Sequence, residues 1–125
     1  MSYSLFLDDV RKPEQVTWVK LPKVKWTIAR NFKEFTHTIK TKGLPDRIAF
    51  DHDLAFDYNL DNSSWSPPPN REPTGYDCAM WLIKYIDKSG TSFPEYYIHS
   101  MNPIGAENID SLIKSYKKST KTNNI

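Results

Sequence analysis

Four short apolar runs divide the chain and predict its strands. They are Tyr3–Leu7, Lys25–Ala29, Arg47–Phe50 and Tyr96–Ser100. Each run is nearly continuous rather than alternating, which is typical of strands that are covered on both faces, as in a parallel sheet. The runs therefore predict about four strands in an open parallel sheet.

Helical periodicity fills the segments after the later strands. Asn31, Thr74 and Asn102 each stand where a helix N-cap is expected, and Gly43 and Gly90 follow where the first two helices should end. The apolar stripes that should be buried comprise Phe32, Phe35, Thr36 and Ile39; Ala79, Leu82, Ile83 and Ile86; and Ile109, Leu112, Ile113 and Tyr116.

The resulting order is strand, strand, helix, strand, helix, strand, helix. Alternation of this kind predicts an α/β fold, which we expect to be a three-layer, truncated flavodoxin-like domain with an open parallel sheet. The connection between the first two strands contains Pro13 and Pro22, so its helix should be short or missing. We expect one domain over residues 1–119 and a frayed tail over residues 120–125.

The segment 55–73 does not fit this alternation. It contains three consecutive prolines, Pro67 to Pro69, and shows no hydrophobic period. A long irregular loop in a small domain is usually functional or disordered. We therefore expect a proline-rich insert that hangs over the C-terminal end of the third strand.

The composition is that of a small folded protein that uses no disulfide. The 125 residues include four Trp, seven Tyr and six Phe, and a single cysteine, Cys78. No apolar run approaches the roughly 20 residues of a membrane span, so we expect a cytoplasmic protein without membrane contact. One cysteine and three scattered histidines are too few for a structural zinc site, and the four isolated glycines form no phosphate-cradling loop.

Charge is unevenly distributed, although the net charge is only +2. Residues 1–48 carry ten Lys/Arg and five Asp/Glu, residues 49–96 carry three and eight, and residues 97–125 carry four and two. Basic flanks around an acidic middle are compatible with a phosphate-bearing ligand, and also with a solvated surface of mixed charge. Charge alone leaves both interpretations open.

Ionisable and polar residues collect where three of the four strands end. They are Asp8 and Asp9 after the first strand, Asp51, His52 and Asp53 after the third, and His99 and Ser100 at the end of the fourth. Because ligands bind outside the carboxyl ends of strands in open α/β sheets, we expect these seven side chains to converge on one edge.

Four carboxylates in a small space repel one another unless some stay protonated or a cation neutralises them. Oxygen-rich clusters suit hard ions such as Mg²⁺, which keep waters that a phosphate can displace. Since side chains alternate along a strand, Asp51 and Asp53 should point the same way, and His52 the opposite way unless the chain already turns there. The cluster predicts a metal and phosphate site.

The same residues also have purely structural interpretations. Carboxylates after a strand often form turns or caps, N-cap residues often do no more than begin a helix, and a half-buried histidine can be satisfied without chemistry. These alternatives apply to Asp8, Asp9, Asp53, Thr74, His99 and Asn102.

Four segments, taken together and in order, resemble one family. They read LFLDDVR, FDHDL, TGYD and IHSMNPIGAENI. Over roughly residues 4–115 the chain is similar to the cyclic-phosphate-processing receiver-like domains, a divergent branch of the response-regulator receiver fold found in bacteria and their viruses. The insert at 55–73 is the chief departure, because a much shorter connection is expected there.

The resemblance implies a receiver-like sheet with strand order 2-1-3-4. It implies that Asp8 and Asp9 match the acidic pair that holds a divalent ion in receivers, and that Asp51 matches the aspartate that receivers phosphorylate. His99 or Ser100 falls where receivers keep a hydroxyl residue on the fourth strand. The receiver lysine after a fifth strand has no counterpart here, which argues against ordinary phosphorelay signalling.

The resemblance also implies processing of cyclic phosphates on RNA ends or nucleotides, in a bacterial cell or a phage-infected host. We therefore expect a metal-dependent phosphoesterase, a hydrolase of cyclic phosphodiesters that uses Mg²⁺ or Mn²⁺. The expected metal ligands are Asp8, Asp9, Asp51 and Asp53; the expected catalytic side chains are Asp51, His52, His99 and Ser100; and the expected phosphate or substrate contacts are Arg11, Thr74 and Asn102.

Two chemical routes fit these residues. In the first, a bound cation polarises the phosphate and a water while the histidines transfer protons near neutral pH. In the second, Asp51 attacks phosphorus directly and forms an acyl-phosphate. The sequence does not separate them.

Two other functions are compatible with the same residues. One is a binding module that sequesters a cyclic nucleotide without cleaving it. The other is a degenerate receiver whose surface recruits a protein partner. The sequence leaves homodimerisation open.

Overall fold

The computed structural model describes residues 2–52 and 74–123, with side chains described as far as Lys118 in the last helix. The candidate metal ligand Asp53, the proline-rich insert at 55–73 and residues 124–125 lie outside the described residues. The predicted division into a domain and a tail at residue 119 stays a prediction, and the last helix continues to Asn123.

The described chain has four strands and three α-helices in the predicted order. The strands are Ser4–Leu7 (β1), Trp26–Ala29 (β2), Arg47–Phe50 (β3) and Glu95–Ile98 (β4). The helices are Phe32–Lys42 (α1), Gly75–Ser89 (α2) and Pro103–Asn123 (α3). As its prolines predict, the first crossover holds only a single 3₁₀ turn, Pro13–Gln15.

The fourth strand ends two residues earlier than the sequence predicts. His99 still donates its backbone N–H to the carbonyl of Phe50 at 2.9 Å, but Ser100 has left the ladder. Its hydroxyl oxygen instead accepts the backbone N–H of Asn102 at 3.1 Å, which turns the chain into α3.

All neighbouring strands are parallel, and their order is β2-β1-β3-β4. This is the order that the family resemblance implies. Strands β1 and β3 lie inside the four-stranded sheet, and β2 and β4 form its two edges.

The two faces of the sheet are covered differently. Leu5 and Leu7 on one face join the main core, to which all three helices contribute. Phe6 on the opposite face packs with Val16 and Ala49, and partly buried residues of the first crossover cover this smaller cluster. The expected third layer is therefore present, but an irregular segment forms it instead of a helix.

The predicted N-caps are confirmed. The Asn31 side chain accepts the backbone N–H of Glu34 at 2.8 Å, and the Asn102 Oδ1 accepts that of Gly105 at 3.0 Å. Thr74 and Asp77 form a reciprocal capping box at the start of α2. Each cap satisfies backbone N–H groups that have no partner inside the helix. Among the described residues, no helix combines the length and the hydrophobicity needed to cross a bilayer.

Two glycines let the helices approach the ends of the strands. A Cβ on Gly75 would lie 1.8 Å from the carbonyl oxygen of Asp51, and one on Gly105 would lie 2.4 Å from the His52 ring. The Gly75 N–H donates to the carbonyl of His52 at 2.7 Å. The start of α2 thus supports the backbone at the end of β3.

We expect Gly75→Ala to destabilise the fold by about 2–3 kcal/mol, because the added methyl meets backbone that cannot rotate away. Alanine is the better helix former, so a neutral or stabilising effect would be expected if no clash existed. Urea denaturation measures the difference in unfolding free energy. Ser111→Ala on the exposed side of α3 is the control and should be close to neutral; a Gly75→Ala protein as stable as the parent contradicts the close approach.

Candidate metal and phosphate site

The site is built on three residues, each of which is the first residue after a strand. Asp8 follows β1, Asp51 follows β3 and His99 follows β4. Their backbone N–H groups continue the parallel ladder, bonding the carbonyls of Ala29, Leu7 and Phe50 at 3.1, 3.0 and 2.9 Å, respectively. The sheet therefore sets these three residues side by side.

The register explains why the three side chains share one face. Phe6, Ala49 and Tyr97 lie two residues earlier on the same three strands and are register partners. They pack together on the face opposite to the one that the described helices cover. Since side chains alternate along a strand, residues two positions further on project from that same face. We call Asp8, Asp51 and His99 the acid–histidine row.

The acid–histidine row is buried and tightly grouped. Asp8 and His99 are 0% exposed and Asp51 is 4% exposed. One oxygen of each carboxylate and one ring nitrogen of the imidazole lie within 4.8 Å of one another. His99 Nε2 lies 3.0 Å from Asp8 Oδ2.

Asp8 is held as a carboxylate. Burial opposes its ionisation, but His99, with the backbone N–H groups of Arg11 and Val10, holds the pKa of Asp8 well below its usual range. Those N–H groups donate to Asp8 Oδ1 at 2.8 and 2.9 Å. The charge on Asp8 is thus a fixed feature of the site.

The neighbouring carboxylates respond to that fixed charge. Burial, and then the charge of Asp8, raise the pKa of Asp51. The same two causes raise the pKa of Asp9. A cation among these groups would remove the repulsion, so the site favours a positively charged ligand.

His99 is enclosed on all sides. Its ring stacks on Phe6 with centroids 4.6 Å apart and planes 8° apart, and its carbonyl accepts the indole N–H of Trp18 at 2.8 Å. The Nδ1 atom is buried and has no hydrogen-bond partner among the described residues. When Nε2 donates to Asp8, Nδ1 keeps a lone pair rather than an unpaired N–H, which is the less costly arrangement for a buried atom. The ring therefore faces the site only through Nε2.

Arg11 supplies the cation nearest to the row. Its Nη1 lies 3.3 Å from Asp8 Oδ2 and 3.9 Å from Asp51 Oδ2. Its guanidinium carbon lies 5.2 Å from the centroid of the Trp18 ring, and its Nη2 contacts the sulfur of Met101 at 3.5 Å. The Arg11 side chain is 29% exposed, so it forms the boundary between the buried row and solvent.

An open cleft of about 320 Å³ lies beside the row. Its lining residues are Asp9, Val10, Arg11, Asp51, Ser100, Met101 and Asn102. Five of these seven were site candidates in the sequence. Asp9 lines the cleft but lies outside the group of ligand atoms formed by the row.

Two described candidates belong neither to the acid–histidine row nor to this cleft. His52 and Thr74 line a larger cavity of about 660 Å³ beside α2 and α3. His52 follows Asp51 and so points to the helix face, where its ring lies against Gly105. The expectation that all seven side chains would meet at one edge therefore fails for His52, and Thr74 is engaged in its capping box. The described residues that line the larger cavity include no carboxylate, which makes the smaller cleft the better candidate site.

Sequence reasoning missed several contributors. His99 was expected to transfer protons, whereas it also joins the two carboxylates as a third donor. Trp18 and Met101 both contact Arg11. They carried no recognisable signal, because Trp18 is fixed by a bond to His99 across 81 residues and Met101 contacts Arg11 across 90. The position of His99 directly after β4, matching those of Asp8 and Asp51 after their strands, is the signal that identifies the row.

The donor set of the row fits a divalent cation. Two carboxylates provide hard oxygen ligands of the kind that Mg²⁺ and Mn²⁺ prefer, and an imidazole nitrogen favours a first-row transition ion over Mg²⁺. The buried repulsion between Asp8 and Asp51 is the physical reason for a cation to bind there. The row could therefore hold a metal ion.

Comparisons with known proteins agree with the sequence motifs. No curated protein and no solved structure gives a significant match to the chain. A family model described as the cyclic-phosphate processing receiver domain matches residues 3–115, which is most of the chain and includes the whole acid–histidine row. The chain therefore belongs to the family of cyclic-phosphate processing receiver domains.

Proposed function

We propose that this domain is a metal-dependent phosphoesterase that opens a cyclic phosphodiester of a nucleotide or an RNA end. The observation that carries the proposal is the buried pair Asp8 and Asp51 beside Arg11, with Asp51 and Arg11 lining an open cleft. Family membership supports a cyclic phosphate as the ligand. The cleft combines an anion-binding arginine with carboxylates that need a cation, and a phosphate bound to a metal ion satisfies both.

Three side chains of the cleft are suited to hold the phosphate. Arg11 can present two N–H groups to two phosphoryl oxygens. The Ser100 oxygen already accepts the N–H of Asn102, so its hydroxyl proton is left to donate. The Asn102 Oδ1 is occupied by the N–H of Gly105, so its amide nitrogen is the available donor. The start of α3 adds a favourable potential for an anion.

Asp8, Asp51 and His99 would hold the divalent ion. When bound, such an ion polarises the phosphoryl group and lowers the pKa of a water. His99 is fully enclosed and faces Asp8 through Nε2. With the proton on Nε2 it fixes Asp8 by a hydrogen bond, and it completes the donor set for the ion only in the tautomer that carries the proton on Nδ1. Proton transfer by His52 stays a prediction from sequence, and its ring lies on the other side of β3.

Asp51 is the carboxylate of the acid–histidine row that lines the cleft, which gives it the reactive role. In one route it takes a proton from a water, the hydroxide oxygen bonds to phosphorus, one ring P–O bond breaks, and Asp51 returns the proton to the leaving oxygen. In the other route an Asp51 oxygen bonds to phosphorus as one ring P–O bond breaks, and the leaving oxygen takes a proton from a water. The hydroxide so formed cleaves the acyl-phosphate and frees the Asp51 carboxylate. Both routes yield a phosphomonoester, and trapping of the acyl-phosphate distinguishes them.

Hydrolysis of 2′,3′-cyclic or 3′,5′-cyclic nucleotides in the presence of Mg²⁺ or Mn²⁺ tests the proposal directly. We expect Asp51→Asn to lower kcat/KM by about 100-fold or more, because the base or nucleophile is lost. Asp46→Asn, which changes an exposed carboxylate just before β3, is the matched control and should keep parental activity.

Absence of turnover in the parent, or equal turnover in Asp51→Asn, contradicts the phosphoesterase proposal. A cyclic nucleotide that raises the melting temperature and is recovered intact after denaturation would instead establish the sequestering module. Phosphorylation of Asp51 by a small phosphodonor, without cyclic-phosphate cleavage, would establish the degenerate receiver.

A second test concerns the cation alone. Saturating Mn²⁺ or Mg²⁺ should stabilise the protein, by about 2.7 kcal/mol at 100 times the dissociation constant. Asp8→Asn should abolish most of this gain because it removes the permanent charge of the row. Thermal unfolding with the metal and then with excess EDTA measures the effect; an unchanged metal-induced shift in Asp8→Asn rules out the row as the metal site.

A further inference from the structure

The Arg11 guanidinium lies where it competes with a metal ion. Its Nη1 faces Asp8 Oδ2 and Asp51 Oδ2 at 3.3 and 3.9 Å. The Asp8 oxygen is the same atom that His99 Nε2 approaches at 3.0 Å. A divalent ion ligated by these oxygens would bring a second positive charge to within a few ångströms of the guanidinium, and like charges at such distances in a partly buried site repel strongly.

In the same position the guanidinium also contacts two groups at the mouth of the cleft, besides the carboxylates. The indole of Trp18 lies under it, with 5.2 Å between the guanidinium carbon and the ring centroid, and the sulfur of Met101 accepts its Nη2 at 3.5 Å. Trp18 is itself fixed, because its indole N–H is bonded to the carbonyl of His99. A guanidinium can slide over an aromatic face with little loss of cation–π attraction, so Arg11 can withdraw from the carboxylates without losing all its contacts.

The backbone of Arg11 does not need to follow its side chain. The Arg11 N–H is bonded to Asp8 Oδ1, and the Arg11 carbonyl accepts Nη1 of Arg30 at 2.6 Å. The same nitrogen of Arg30 donates to the carbonyl of Asp8 at 3.2 Å. These bonds keep the turn between Asp8 and Arg11 in place, so a change in Arg11 can be confined to its side chain.

We propose that Arg11 is an exchangeable counter-ion: it neutralises Asp8 and Asp51 when no metal is bound, and metal entry displaces its guanidinium along Trp18 toward the phosphate position. The inference rests on the proposed metal site. It makes metal binding and phosphate binding cooperative, because the ion releases the arginine that the anion needs. The domain would then expose its phosphate-binding charge only when the cation is in place.

Metal affinity in the absence of any substrate tests the exchange. Calorimetric titration with Mn²⁺ should show Arg11→Gln binding the ion about tenfold more tightly than the parent, because the competing charge has gone. Arg11→Lys keeps the charge and should stay within about threefold of the parent. Arg30→Gln is the matched control, since that guanidinium binds carbonyls of the same turn and not the carboxylates, and it should not tighten Mn²⁺ binding.

Inorganic phosphate provides the second readout. In the parent, saturating Mn²⁺ should raise phosphate affinity by about tenfold or more, a coupling of ordinary allosteric size. In Arg11→Gln, Mn²⁺ should raise it distinctly less, because no arginine is released. Relative to the parent, Arg11→Gln should therefore bind Mn²⁺ more tightly but show a smaller effect of Mn²⁺ on phosphate affinity.

If Arg11→Gln binds Mn²⁺ no more tightly than the parent does, the exchange is overturned while the metal site stands. The same holds if Arg30→Gln tightens Mn²⁺ binding as much as Arg11→Gln does. If neither the parent nor Arg11→Gln binds Mn²⁺, both the exchange and the metal-dependent part of the proposed function fail. The parent could also cleave a cyclic phosphate and bind Mn²⁺ while Arg11→Gln binds Mn²⁺ with the same affinity. That result overturns the exchange alone and leaves the proposed function in place.

Discussion

The site depends on one constraint: the parallel register sets two carboxylates next to each other in the interior. Asp8 and Asp51 each continue the ladder past the end of a strand, and His99 extends the row by one more strand. Buried like charges are costly, so something positive must accompany them. In the described structure that role falls to Arg11, and the hydrogen bonds from His99 and the turn after β1 keep Asp8 ionised.

The position of the Arg11 guanidinium follows from the way the two faces of the sheet are covered. The described helices α1, α2 and α3 pack on one face. Among the described residues, the irregular crossover between β1 and β2 covers the face that carries the acid–histidine row. Because that crossover is not a helix, it can hold Trp18 against the end of β4 and turn Arg11 back over the row. The same segment thus closes the small core and forms one wall of the cleft.

The fold was predictable because its signals are local. Apolar runs, N-caps such as Asn31, and glycine stops lie within a few residues of the elements that they define. The carboxylates of the site were predictable for the same reason, as each directly follows a strand. The sequence already predicted that β3 ends at Phe50 and that strand alternation directs His52 away from Asp51. It left open whether the chain turns at His52, and the structure shows the ring against Gly105 on the helix face. The contacts of Trp18 with His99 and of Gly105 with His52 join distant segments, and no short motif encodes such tertiary contacts.

The central claim is that Asp8, Asp51 and His99 form the place where a cation binds. Anomalous diffraction from a crystal grown with Mn²⁺ tests it most directly. The account predicts one strong peak about 2.0–2.3 Å from oxygens of both Asp8 and Asp51, with the Arg11 guanidinium moved toward Trp18. A peak confined to carboxylates on the exposed surface, with Arg11 still bridging Asp8 and Asp51, would contradict the account.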